Sequence, residues 1–211
     1  MKSLAHLAVI WSLLAFAGCA SSPVDKIHKV AVHLTMDNGS CSGTVVGKNT
    51  ILTATHCLAD ARSLAIDGIP VVVYKAYDDK HDHLLLVTSL SFRDAALRGP
   101  EAKQGDSVYV IGNPGELVDI YRQGTVAGYK EFPEAPATLY DINGYFGDSG
   151  AGIFNHEGQL IGVISILYQQ VGSGYMKTMG SFDLAFTPGQ WQEAVNFDTS
   201  MPSLIYSMKS P

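Results

Sequence analysis

The chain has 211 residues, of which 46% are hydrophobic and 16% charged, enough apolar material for a packed core and too little charge for a largely disordered protein. Its formal net charge of -6 supplies no basic face for a nucleic-acid partner. The 21 glycines and 10 tyrosines fit many short strands joined by tight turns.

Residues 1–19 read as an export signal rather than as fold. Lys2 gives a short positive start, and the apolar run from Leu7 to Phe16 is too short to span a bilayer as a helix. The segment closes on Phe16-Ala17-Gly18-Cys19, which resembles a bacterial lipoprotein signal. That resemblance implies that Cys19 is the lipidated first residue of the mature chain and ties the protein to a membrane in the cell envelope. Ala20, rather than an aspartate, after Cys19 favours the outer membrane, facing the periplasm, if the cell is Gram-negative. The alternative is an ordinary secretory signal cleaved nearby. Residues 20–27, with Ser21-Ser22-Pro23, read as a linker. With Cys19 carrying lipid, Cys41 and Cys57 remain as an even pair in an oxidising compartment, and a bridge between them would contribute about 3 kcal/mol in the loop-entropy account.

From Lys29 the pattern alternates: Val30, Val32 and Leu34 on one side, Ala31, His33 and Thr35 on the other, a strand. Asn38-Gly39 is a hairpin turn, and Cys41–Val46 and Thr50–Ala54 are the next strands. Thr55–Ala61 has the look of a short helical turn. Ser63–Ile66 and Val71–Tyr74 are strands about an Asp67-Gly68 turn, and Leu84–Val87, apolar throughout, reads as a strand buried on both faces. Arg93–Gln104 carries Gly99-Pro100 and no strand pattern, and divides the chain into lobes of about 28–98 and 104–187.

The second half repeats this style. Strands are expected at Ser107–Gly112, Tyr121–Gly128, Ala137–Tyr140, Ile153–Phe154, Leu160–Leu167 and Ser181–Phe186. Thr187 and Pro188 start a short C-terminal helix reaching Asn196, and residues 198–211 form an unassigned tail. The expected fold is therefore all-β: two antiparallel barrel-like lobes with one short helix, the protein domain covering 28–197.

Three stretches carry chemistry. His56 ends a strand beside Cys57 and is held as a general base must be, although a lone histidine is more often structural. Asp82 adjoins the buried run Leu84–Val87, where a carboxylate needs a hydrogen bond to offset desolvation, and a ring N–H of His56 would meet that need. Asp78 and Asp79 lie nearby and stay open as alternatives, Asp82 being preferred because it alone abuts the apolar run. Ser149 sits in Gly147-Asp148-Ser149-Gly150, where glycines permit a sharp turn and the amides of Gly147 and Ser149 can converge on an oxyanion; alone, the motif reads equally well as a hairpin turn. His81-Asp82-His83 puts only His81 and His83 on one strand face, with no further ligand evident, so no metal and no cofactor are expected.

Together, Thr53-Ala54-Thr55-His56-Cys57, Asp82-His83-Leu84-Leu85-Leu86 and Gly147-Asp148-Ser149-Gly150 resemble the histidine, aspartate and serine motifs of trypsin-like (chymotrypsin-fold) serine proteases, in that family's order. Cys41-Ser42-Gly43-Thr44 is similar to the family's disulfide partner strand. Val110-Ile111-Gly112-Asn113-Pro114 with Gly124-Thr125-Val126 resembles the bacterial HtrA-like branch, and Gly162-Val163-Ile164-Ser165 the strand that pairs with substrate backbone. The resemblance implies two six-stranded barrels, a protein or peptide substrate, and peptide-bond hydrolysis through His56, Asp82 and Ser149, with Gly147 and Ser149 as oxyanion donors. It implies that Asn143, Ser165 and Leu167 line the primary specificity pocket, which without an acid or a histidine there would take small or medium uncharged residues. Thr55 and Ala151-Gly152 depart from the family's usual residues, no activation sequence precedes the first strand, and no PDZ-like segment follows the domain. Without a freed amino terminus, Asp148 is expected to be solvated or bonded locally. A catalytically silent binding module on the same fold, or a structural envelope lipoprotein, is the competing reading.

Overall fold

A computed structural model describes residues 22–197 apart from Glu116 and 171–175. The signal segment with Cys19 and the tail 198–211 lie outside the described residues.

Among the described residues, fourteen strands form two curled antiparallel sheets, one per lobe. In the N-terminal lobe these are β1 (Ala31–Met36), β2 (Gly39–Gly47), β3 (Thr50–Ala54), β4 (Leu64–Ile66), β5 (Ile69–Pro70), β6 (Val73–Asp78) and β7 (His83–Thr88). The C-terminal lobe has β8 (Ser107–Gly112), β9 (Ile120–Glu131), β10 (Pro136–Tyr140), β11 (Gly152–Phe154), β12 (Leu160–Val163), β13 (Ile166–Gln170) and β14 (Met176–Phe182). The sheet orders are β5-β4-β1-β2-β3-β7-β6 and β12-β11-β8-β9-β10-β14-β13, so the second lobe repeats the first with every strand number raised by seven.

The sequence reading expected six strands per lobe, and the seventh has a clear origin. The run from Ile69 to Asp78 bends at Val71 and Val72; its first part pairs with β4 and its second with β7. Val71 donates to the Leu64 carbonyl (3.0 Å) and Ser89 to the Val72 carbonyl (2.9 Å), so this bent strand draws the two edges of the sheet together. The run from Leu160 to Gln170 does the same in the second lobe. The sequence pattern predicts one continuous strand over Leu160–Leu167, but Ile164 and Ser165 leave the ladder between β12 and β13. Ile164 instead accepts from the Gly150 amide (2.7 Å) and donates to the Ala151 carbonyl (2.9 Å), tying this bend to the serine turn. The last strand also lies earlier than expected, ending at Phe182.

Residues 23–27, expected as part of a linker, fall in helix α1 (Pro23–His28). Ser22 caps it: the hydroxyl accepts from the Asp25 amide (3.1 Å) and the Asp25 carboxylate accepts from the Ser22 amide (3.2 Å), a reciprocal capping box. Ile27 is fully buried and anchors α1 to the larger core. The C-terminal helix α2 (Pro188–Val195) begins at Thr187 as expected, and Ala194 buries against the N-terminal lobe, where its carbonyl accepts from Thr50 Oγ1 (2.5 Å).

The larger core runs through the N-terminal lobe, with Leu34, Ile51, Leu52, Ile66 and Leu85 buried, and continues into Ile111, Phe154 and Leu160 of the second lobe. A smaller core of Val108, Val110, Val126, Tyr140, Ile153 and Met179 fills the second lobe. The two lobes therefore share apolar packing, and His56 of the first meets Ser149 of the second at their junction.

Candidate active site

β3 ends at Ala54, and a 3₁₀ turn at Thr55–Leu58 follows, carrying His56 and Cys57. Cys57 is disulfide-bonded to Cys41 on β2, with Cα atoms 6.1 Å apart, which fastens the turn to the sheet next to the histidine. β7 pairs with β3 so that His83 lies opposite Ala54, and this register brings Asp82, the residue before β7, beside His56. The Asp82 carbonyl accepts from the Thr55 amide (2.9 Å), and its carboxylate accepts from the His56 amide (2.9 Å) and lies 2.7 Å from His56 Nδ1. His56 Nε2 is 2.8 Å from Ser149 Oγ. The carboxylate as partner at Nδ1 fixes the neutral tautomer with the proton there, leaving Nε2 to accept from the serine hydroxyl. Of the three acids in this stretch, Asp78 binds Lys80, Asp79 binds His83, and only Asp82 reaches His56.

Ser149 projects from a turn packed against the first lobe. Gly147 and Gly150 have φ of 99° and 85°, in the region that favours glycine. Close approach also requires Gly150: a Cβ there would lie 2.1 Å from the Ser42 carbonyl and 2.2 Å from Thr53 Oγ1. Each peptide of the turn has a fixed partner. The Phe146 carbonyl accepts from the Gly115 amide (2.7 Å), the Gly147 carbonyl accepts from Ser42 Oγ (2.8 Å), and the Ser149 carbonyl accepts from the Ser42 amide (2.8 Å). Ser42 Oγ is held in turn by the Asn113 amide (2.9 Å) and Asn113 Nδ2 (3.1 Å). Among the described residues nothing accepts from the amides of Gly147 and Ser149, the two expected oxyanion donors.

Asp148, expected to be solvated or bonded locally, is bonded and 1% exposed. The Arg122 guanidinium grips it through both terminal nitrogens, Nη1 at 2.7 Å from one oxygen and Nη2 on the other, and the Tyr145 amide donates to it at 2.8 Å. Arg122 Nη1 also donates to the Asn143 carbonyl (3.0 Å).

The expected pocket residues are arranged differently from one another. Asn143 is exposed, and its carbonyl, not its side chain, is the part tied into the site. Ser165, in the bend between β12 and β13, is tied to β14, its amide donating to the Gly180 carbonyl (3.0 Å) and its Oγ accepting from the Phe182 amide (3.1 Å). Leu167 and Met179 both pack close on Gly144, where a Cβ would meet each at 2.7 Å. Met179, Arg122 and Ser42 were not singled out in the sequence. Arg122 had a signal, since it shares a strand face with the buried Val126, and an inward arginine needs an acid.

A family model described as a trypsin-like peptidase domain matches residues 41–163, more than half of the chain. The chain belongs to that family. Its fold is similar to that of the Rv3671c protease from M. tuberculosis in the active form (17% identity, TM-score 0.65, covering 82% of this chain and 84% of that one). It is also similar to the HtrA-type protease AlgW with tripeptide (19% identity, TM-score 0.69, 82% and 62%) and to Deg5 (20% identity, TM-score 0.58, 68% and 82%). No curated protein matches the sequence.

Proposed function

We propose that the protein is a serine endopeptidase in which His56, Asp82 and Ser149 act as a catalytic triad. The observation that carries this is the unbroken line of contacts from Asp82 through Nδ1 and Nε2 of His56 to Ser149 Oγ, at 2.7 and 2.8 Å. His56 takes the hydroxyl proton as Ser149 attacks the scissile carbonyl, and Asp82 steadies the imidazolium. The Gly147 and Ser149 amides, which no protein group occupies among the described residues, receive the oxyanion. His56 then protonates the leaving amine, and water resolves the acyl-enzyme by the same steps in reverse.

The preferred residue before the scissile bond is small or medium and uncharged. Leu167 and Met179 fill the space beside Gly144, and Asn143 offers no charge to a basic side chain. A cleavage profile dominated by Arg, Lys or Glu would sink this preference.

The enzyme works outside the cytoplasm, anchored through lipid on Cys19. The Cys41–Cys57 bridge supports an oxidising compartment. Labelling of cells with tagged palmitate checks the anchor, and a Cys19→Ser variant that still takes up label would rule it out. For the activity, the test is a fluorophosphonate probe, expected to modify the wild type and not Ser149→Ala. Equal labelling of the two overturns the enzyme reading and favours a silent binding module.

A further inference from the structure

The turn between β6 and β7 holds a second histidine–aspartate pair that the proposed reaction does not use. The side chains of Asp79 and His83 are both fully buried, with His83 Nδ1 2.8 Å from the Asp79 carboxylate. Three amides also donate to that carboxylate: His81 (2.8 Å), His83 (3.1 Å) and Ala185 (3.0 Å). Four donors fill the lone-pair positions of an ionised carboxylate, so the His83 ring presents Nδ1–H to it. The other ring nitrogen, Nε2, is buried without a partner among the described residues. An apolar side chain at 83 would remove that orphan, so the ring's contribution must lie in the bond it donates.

The turn is one that needs holding. Lys80 and Asp82 both have left-handed backbone, with φ of 68° and 66°, a conformation unfavourable for residues with side chains. Asp82 is the residue that contacts His56. We propose that the buried Asp79–His83 pair positions Asp82 for the reaction, the ring's bond fixing the carboxylate that gathers the turn so that Asp82 is presented to His56 in one orientation. The same carboxylate fastens the turn to Ala185, in the segment after β14, and His81 adds a second tie through its Nδ1 and the Asp183 carbonyl (2.9 Å). β14 pairs with β13, the strand that bears Leu167. The Asp82 turn of the first lobe is thus bonded to the segment that follows β14, the strand paired with the one that bears Leu167.

This inference rests on the triad reading, and its test separates the two. Wild type, His83→Leu and His83→Asn are compared as full-length proteins on a peptide the wild type cleaves, with melting temperatures recorded. Leucine removes the donor to Asp79 together with the unpartnered nitrogen and suits a dry site. Asparagine places an amide nitrogen near the Nδ1 position and keeps the donor. Because a misplacement of ~1 Å can cost ~10²-fold, His83→Leu should lose about tenfold to a hundredfold in kcat while KM moves less than about twofold. His83→Asn should restore kcat to within about threefold of wild type. Equal kcat in all three proteins overturns the proposal, as does a loss confined to KM or an asparagine variant as slow as the leucine one. An inactive wild type overturns the triad reading, and this inference with it.

Discussion

Replacing Arg122 with methionine asks whether an internal ion pair, rather than a freed amino terminus, holds the oxyanion turn. Methionine keeps most of the side chain's length and apolar stem and removes the guanidinium. Asp148, 1% exposed, then retains the Tyr145 amide and loses both arginine contacts. Removing one partner of a buried pair costs about 3–5 kcal/mol. At about 2–4 °C per kcal/mol for a domain of this size, the melting temperature should fall by about 6–20 °C. The carboxylate can relieve its isolation by swinging outward, but that rotates the peptides on either side of Asp148. Those peptides carry the Gly147 carbonyl bonded to Ser42 and the Ser149 amide expected in the oxyanion site. Loss of one oxyanion donor costs about 10²–10³ in kcat, so a loss of that order is expected below the melting temperature. The assay is kcat and KM on a peptide substrate, with the fluorophosphonate labelling rate as a second readout. Adding Asp148→Asn removes the stranded charge and should recover part of both stability and rate. A destabilised Arg122→Met protein that labels at the wild-type rate would refute the reasoning, and so would a double variant no better than the single.

Other outcomes follow from the same geometry. Ser42→Ala leaves the Gly147 carbonyl and the Asn113 amide without their partner, each worth about 1–3 kcal/mol, and should lower both melting temperature and kcat; a drop in stability with full activity would mean that Ser42 does not shape the turn. Reduction of Cys41–Cys57 should remove about 3 kcal/mol, read as a lower urea midpoint with dithiothreitol, and a Cys41→Ser, Cys57→Ser protein should show no response to the reductant. Leu167→Ala should shift cleavage toward larger apolar residues before the scissile bond, measured on a peptide library; an unchanged profile would place the restriction elsewhere. Burial opposes ionisation of Asp79, but the His83 ring and the surrounding amides outweigh it and hold its carboxyl below the ordinary value. A lowered folded pKa stabilises the protein above the unfolded value of about 3.9, and the contribution is lost as pH falls through the lower folded value. The urea midpoint of wild type should therefore fall more steeply than that of Asp79→Asn as pH drops below about 4, and parallel curves would contradict this.

What could be read in the sequence was local. His56, Asp82 and Ser149 each sit in a short motif whose neighbours explain the residue type, and the strands around them alternate or run apolar as their burial requires. What the sequence did not show were partners that act across distance. Ser42 reaches Gly147 over 105 positions and Asp79 reaches Ala185 over 106, and no periodicity links such pairs. The bend at Ile164 was invisible for a related reason: a mostly apolar strand-like run looks the same whether it pairs with one neighbour or changes partners midway. Helix α1 is a different kind of miss. Ser22 with Asp25 three residues on is a capping pattern, and Ile27 its apolar anchor, but the Ser-Ser-Pro composition suggested a tether.

The contact between His56 and Ser149 joins residues 93 positions apart on different lobes, so some shorter path must set their separation. That path runs through two adjacent strands. Thr53, three residues before His56, donates through Oγ1 to the Ser42 carbonyl (2.8 Å), and Ser42 donates through its amide to the Ser149 carbonyl and through its hydroxyl to Gly147. Gly150 leaves no room for slack against Ser42 and Thr53. Ser42 and Thr53 are themselves fully buried, so their bonds are not exchanged with water at small cost. A relative shift of the lobes would have to break the two bonds from Ser42 to Ser149 and Gly147 before it could lengthen the 2.8 Å contact. The distance between base and nucleophile is accordingly set at the lobe junction by the two bonds that Ser42 sends to the serine turn, with Thr53 holding Ser42 in place, and variants in the barrels away from Ser42, Arg122 and the Asp79–His83 pair should alter stability well before they alter the site.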